Sequence, residues 1–254
     1  MAVDGQYRAL VRAGLLAAAL ALAAGPVAAC RLALVLAIDV SSSVDAAEDA
    51  LQRQGLARAL LAPPVVAAFL ASPDPVALYA FEWSGREVQV DLTPGWMMID
   101  SAPALEAAAG AIAASRRSRD NLPTALGRAL GHAADALRDG PDCAARTIDV
   151  AGDGPSNDGF GPQMAYAAFP FDGVTVNALV VTAAGDDGLE LLSWFREEVL
   201  HGPGAFLIAT EGFDDYQRAM EAKLIRELAL PALSLGLPHP LPSSAVSPPA
   251  PPPA

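Results

Sequence analysis

Cysteine, histidine and positive charge are all scarce in this chain. Its 254 residues hold two cysteines and three histidines, and carry a formal net charge of −13. His132 falls in a helical pattern, His201 in a loop and His239 in the tail, and nothing gathers them into a zinc or catalytic cluster. The acidic balance argues against nucleic acid and against anionic membrane surfaces as partners. Apart from Lys223, every basic residue is an arginine. The apolar stretch near the N-terminus, Gly14 to Ala24, is too short to span a bilayer comfortably, so no transmembrane span is expected in the mature chain.

Apolar material is plentiful: 53% of the residues are hydrophobic, enough for the core of one α/β domain once the ends are set aside. Residues 1–29 read as a secretion signal. Arg8 and Arg12 precede the apolar stretch, Gly25-Pro26 breaks it, and Val27-Ala28-Ala29 offers small residues before a cut. A periplasmic or secreted bacterial protein is the expectation. Cys30 follows at once and has two readings. Val27-Ala28-Ala29-Cys30 fits a lipobox, which would anchor the chain by a lipid. An exported chain with two cysteines more often pairs them, here Cys30 with Cys143. Cys30 stands nine residues before Asp39 and Cys143 ten before Asp153, so if the two Asp-bearing strands are parallel neighbours the cysteines enter them at nearly the same height. After Leu230 proline dominates, which predicts a disordered or polyproline tail over 231–254 and leaves 30–230 as the domain.

Within the domain, Leu32 to Ile38 is an apolar run without alternation that ends in Asp39-Val40-Ser41-Ser42-Ser43. It predicts a strand buried on both faces, as in a parallel sheet, with a carboxylate and hydroxyls at its carboxyl end. Open α/β sheets bind ligands at that edge. A helix is predicted from Asp45 to Ala62, started by an Asp45/Glu48 capping box, faced by Leu51, Leu56 and Leu60, and ended by Pro63-Pro64. Strands are predicted at Val76 to Trp83, Glu87 to Leu92 (an antiparallel edge), Arg146 to Gly152, Val174 to Thr182 and Ala205 to Ala209. Helices are predicted at Ser101 to Ala114, from Pro123-Thr124 onward through Leu126, Leu130 and Leu137, at Gln163 to Phe169, Leu189 to Leu200 and Phe213 to Ala229. Arg116, Arg117 and Arg119 read as a solvated polar loop.

Strand–helix alternation with one hairpin is a doubly wound α/β sheet. Oxygen-bearing residues fall on three of its turns: Asp39, Ser41 and Ser43; Thr124; and Asp153. Here the chain resembles the von Willebrand factor A (VWA) domain superfamily. Asp39-Val40-Ser41-Ser42-Ser43 matches that family's Asp-x-Ser-x-Ser signature, Thr124 in Pro123-Thr124-Ala125-Leu126-Gly127 stands where its threonine would, and Asp153-Gly154 matches its later aspartate. Within the superfamily the chain looks closest to a bacterial exported group of unknown function of the DUF1194 type. Phe81-Glu82-Trp83-Ser84-Gly85, Ile148 to Gly154 and Gly202-Pro203-Gly204-Ala205-Phe206 carry that likeness.

The resemblance implies a Rossmann-like VWA fold with a six-stranded, mostly parallel sheet in the order 3-2-1-4-5-6 and one antiparallel edge strand. That order makes the two cysteine-bearing strands neighbours. It also implies a metal-ion-dependent adhesion site (MIDAS) in which Asp39, Ser41, Ser43, Thr124 and Asp153 hold Mg²⁺, or Mn²⁺ or Ca²⁺, some of them through water. The ion keeps a position for an Asp or Glu of a protein partner. The implied role is binding, not catalysis. A haloacid-dehalogenase-like phosphatase is the rival reading, since Gly152 to Asp158 resembles that family's last motif. Such enzymes need an Asp-x-Asp nucleophile and acid, however, and Ser41 stands at the second position. The lone lysine, Lys223, lies in the last helix, away from any phosphate role. A structural domain that binds no metal is the remaining alternative.

Overall fold

In the computed structural model, which describes residues 30–183 and 185–229, the first strand is the middle of the sheet. β1 (Leu32–Asp39) is buried at all eight positions. It pairs in parallel with β2 (Val76–Ser84) on one side and β5 (Arg146–Gly152) on the other. Beyond β5 lie β6 (Val174–Thr182) and β7 (Leu207–Glu211), also parallel. The expected signal over 1–29 and tail over 231–254 lie outside the described residues.

The outer edge of β2 carries two short antiparallel strands. β3 (Val88–Asp91) pairs with its second half and β4 (Met97–Ile99) with its first. The path β3-β2-β1-β5-β6-β7 reproduces the order expected for six strands, and β4 makes a seventh. β4 has only three residues, too few to show an alternating pattern.

A strand points successive side chains to opposite faces, and β1 is apolar in both sets. Leu34, Leu36 and Ile38 meet α1 (Ala46–Leu61), α2 (Pro63–Phe69), α3 (Ala102–Ala114) and α7 (Tyr216–Leu228) through Leu56, Phe69, Ile112 and Leu224. Ala33, Val35 and Ala37 meet α4 (Leu126–Asp139), α5 (Pro162–Ala168) and the end of α6 (Asp186–Trp194) through Leu130, Ala165 and Phe195. α6 runs on as a π-helical turn, Phe195–Val199. The result is an α/β sheet covered on both faces, the VWA arrangement.

Asp45 accepts from Ala47 and Glu48 N–H while Glu48 Oε2 accepts from Asp45 N–H, the expected capping box. Pro63-Pro64 ends α1 as expected, Ala62 turning to extended backbone, and it also opens a second helix, because proline lacks only an N–H that a first turn leaves free anyway. One local expectation fails. Leu51 lies 40% exposed, and α1 instead buries Gln52, Arg53 and Gly55 beside Leu56 and Leu60.

Cys30 and Cys143 are bonded, with their Cα atoms 4.5 Å apart and a sequence separation of 113. They form a parallel bridge just before β1 and β5, the neighbouring heights expected. The sulfur of Cys30 cannot carry both a disulfide and a lipid, and here it is bonded to Cys143. Closing so long a loop stabilises the fold by about 4–5 kcal/mol in the chain-entropy account.

Candidate metal-binding site

Three turns meet where β1 and β5 end. Asp39 closes β1, and its Oδ1 accepts the N–H of Ser41 at 2.7 Å, which folds the chain back at once. Ser42 N–H donates to Leu122 O at 2.8 Å, tying this turn to the loop before α4. That loop is held in turn by Gly85 N–H on Pro123 O and by Thr124 N–H on Asn157 Oδ1 at 2.9 Å. Asn157 and Asp158 N–H both donate to Thr124 O. Thr124 therefore has both backbone groups anchored to the turn after β5, and its side chain is aimed rather than free.

The five side chains singled out in the sequence come together. Ser43 Oγ donates to Asp153 Oδ1 at 2.7 Å, Ser41 and Ser43 Oγ lie 3.1 Å apart, and Thr124 Oγ1 donates to Ser41 Oγ at 3.1 Å. Burial is graded across the group. Asp39, Ser41 and Thr124 are buried, Asp153 is half-buried and Ser43 is exposed. The cluster thus opens to solvent on the Ser43–Asp153 side.

Within this cluster, Asp39 Oδ2 is buried and has no hydrogen-bond partner. Its carboxyl is pushed up to about 7, first by burial and then by the charge of Asp153. Burial also raises Asp153, against the lowering effect of its bond from Ser43. Two carboxyls held above their ordinary range beside one another mark a place short of positive charge.

The donor set suits a hard cation, being two carboxylates and three hydroxyls with no nitrogen or sulfur. Among the described residues no group of three or more His, Cys, Asp or Glu is placed to hold a metal. An ion here would rest on two acids, with hydroxyls and water completing its shell.

Arg117 is a neighbour the sequence reading missed. Expected in a solvated loop, it is half-buried, and its Nη2 donates to Val40 O at 2.9 Å and Ser41 O at 2.8 Å, clamping the β1 turn from outside. Its loop is fixed by a buried charge network. Glu82 Oε1 accepts Ser118 N–H at 2.8 Å, and Arg53 bonds Glu82, Asp49 and, at 2.7 Å, Ser115 Oγ. Gln52 adds a bond from Nε2 to Asp39 O at 2.9 Å. Only the density of arginine in 116–119 hinted at any of this, and that pattern reads equally as a wet loop.

The comparisons agree with the fold. Proximal thread matrix protein 1 from the mussel byssus is similar over 80% of this chain and 49% of its own, at 19% identity and a TM-score of 0.56. A second structure of that protein, with a zinc-occupied MIDAS motif, gives 18% identity, 80% and 48% coverage and a TM-score of 0.55. A von Willebrand factor type A protein from Catenulispora acidiphila gives 16% identity, 78% and 43% coverage and a TM-score of 0.56. The chain spans less than half the length of these proteins, and at such identities the likeness is one of fold. No curated protein matches the chain in sequence. The DUF1194 family, described as a protein of unknown function, matches residues 29–232. The chain belongs to the DUF1194 family and has a VWA fold.

Proposed function

We propose that this domain binds a divalent cation of the Mg²⁺ class through Asp39, Ser41, Ser43, Thr124 and Asp153, and through it an Asp or Glu of a protein partner. One observation carries the reading: a buried Asp39 oxygen without a partner, inside a cluster whose hydroxyls are otherwise mutually engaged. A cation supplies the charge that this oxygen and Asp153 lack. Ser43 and Asp153, on the open side, face the approach of a partner. The zinc-occupied MIDAS motif of the mussel protein and a pilus adhesin of similar fold, SpaC from Lactobacillus rhamnosus GG, favour adhesion over chemistry. So does Ser41, whose hydroxyl is too weak an acid to protonate a leaving group where a phosphatase needs a carboxylic acid. The disulfide suits an exported protein.

Calorimetry with Mg²⁺ and Mn²⁺, paired with capture of envelope proteins with and without chelator, tests the proposal. Asp39→Ala and Asp153→Ala remove the only negative charges in the set and should abolish metal binding. Thr124→Ala should weaken capture more than metal affinity. Full chelator-sensitive capture by both Asp39→Ala and Thr124→Ala would overturn the assignment.

A further inference from the structure

A groove of about 460 Å³ begins two residues beyond Asp153, walled by Pro155, Leu191 and Trp194 and edged by Asp187 and Glu190. It is built against the cation site. Phe195, which follows Trp194, packs so close to Gly152 that a Cβ there would lie 3.6 Å from Phe195 Cζ and 3.6 Å from Asp39 Oδ2. The groove's acids lie in α6, whose first turn holds Asp186 and Asp187; Arg196, in the π-helical turn beyond, is not among the residues that line the groove. Among the described residues, neither Asp187 nor Glu190 takes part in an ion pair or a side-chain hydrogen bond.

The groove on the other side of the same loop differs. It is lined by Arg86, Arg128 and Phe160, and Arg86 is already paired with Asp158 at 2.6 Å while Arg128 lies over the Phe160 ring. Its two arginines are engaged, leaving only Glu87 open, whereas both acids of the α6 groove are open.

We infer that the α6 groove takes an arginine or lysine side chain of the protein partner, close in sequence to the acidic residue that meets the cation. This rests on the cation-site reading above. An aliphatic stem fits along Pro155 and Leu191, the cationic head meets Asp187 and Glu190, and the Trp194 indole offers a π face. The partner is then recognised at two points of opposite charge, which sets its direction across the sheet edge.

Short synthetic peptides with one Glu and one Arg, separated by zero to four glycines, serve as the probe. Their binding is read by fluorescence anisotropy in Mg²⁺ and in EDTA, beside Mg²⁺ calorimetry. At the best spacing, Arg→Gln in the peptide should weaken binding to the native protein about fivefold, and binding to an Asp187→Asn/Glu190→Gln variant less than twofold, as for one exposed cation–π and ion-pair contact. The variant should keep its native Mg²⁺ affinity, since neither residue is in the proposed ion shell. Equal losses in both proteins, or Mg²⁺ binding without any Arg-dependent peptide binding, overturn the groove and leave the cation site standing. Peptide binding that survives EDTA, or absence of Mg²⁺ binding, overturns the cation reading itself.

Discussion

Asp39 and Asp149 are buried aspartates on neighbouring parallel strands, and burial pushes the carboxyl of each upward. They differ in what the fold supplies to them. Asp149 faces α7, where Lys223 Nζ stands 2.6 Å from its Oδ1 and 2.6 Å from Glu227 Oε1. The contact with Asp149 is one of charge, its angle not that of a hydrogen bond. Asn177 completes the group by donating to Glu227 Oε1 at 2.9 Å and accepting Phe206 N–H. Asp39 has no such ammonium. Arg117 nearby spends its bonds on carbonyls. A buried acid that finds its cation within the chain serves the fold, whereas one left short at an open edge is what the proposed function uses to receive a cation from outside.

Removing the internal cation should show the largest effect. Lys223→Met leaves Asp149 and Glu227 buried together without a positive charge, and breaking such a group costs about 3–5 kcal/mol. Urea unfolding of the variant against the native protein measures this. A loss under about 1 kcal/mol would mean that the two acids relax by taking up protons, and would erase the contrast between the two sites.

Asp39→Asn should act in the opposite sense and more weakly. In EDTA it relieves a desolvated, unpartnered carboxyl at a site with no cation, so the variant should be more stable than the native protein by about 1–2 kcal/mol. In Mg²⁺ the order reverses, because only the native protein gains from a ligand that binds the folded state. Thermal melting in both buffers reads the crossing. An Asn variant that melts lower in both would place Asp39 with Asp149 as a structural acid.

The two aspartates also differ in how visible they are in the sequence. Asp39 ends an apolar run and is followed by Ser41 and Ser43, so the strand, its end and three oxygen donors lie within one short stretch. Thr124 and Asp153 sit on equally plain loop boundaries, and two cysteines at matched distances from the aspartates suited the order the resemblance implied, with β1 beside β5. Asp149 lies inside a strand and Lys223 and Glu227 inside a helix, where a charge normally reads as a solvated position. Only packing brings them together. Arg117 was hidden for a related reason, since a loop arginine gives no sign of whether its guanidinium turns to water or to carbonyls. Pro63-Pro64 shows the limit of a local signal, because a proline that stops one helix is equally acceptable in the first turn of the next.

The smallest difference lies in titration. Burial and the nearby Glu227 raise Asp149 well above the ordinary 3.8, and Lys223 opposes them without prevailing. Tyr216, buried on the same helix, adds no charge at neutral pH and has no hydrogen-bond partner for its hydroxyl. The fold therefore favours protonated Asp149. Its contribution to stability is complete below the unfolded value near 3.8 and declines as pH rises through the higher folded value. Asparagine cannot ionise and escapes that decline, while Lys223 keeps its pair with Glu227. The stability of Asp149→Asn relative to the native protein should thus grow as pH is raised from about 4 to 8, measured by urea unfolding in EDTA. A gap that stays constant over that range would show that Asp149 is ionised throughout in the folded protein. Lys223 would then outweigh burial at Asp149, and the carboxylate would be a full partner of the ammonium in the folded state.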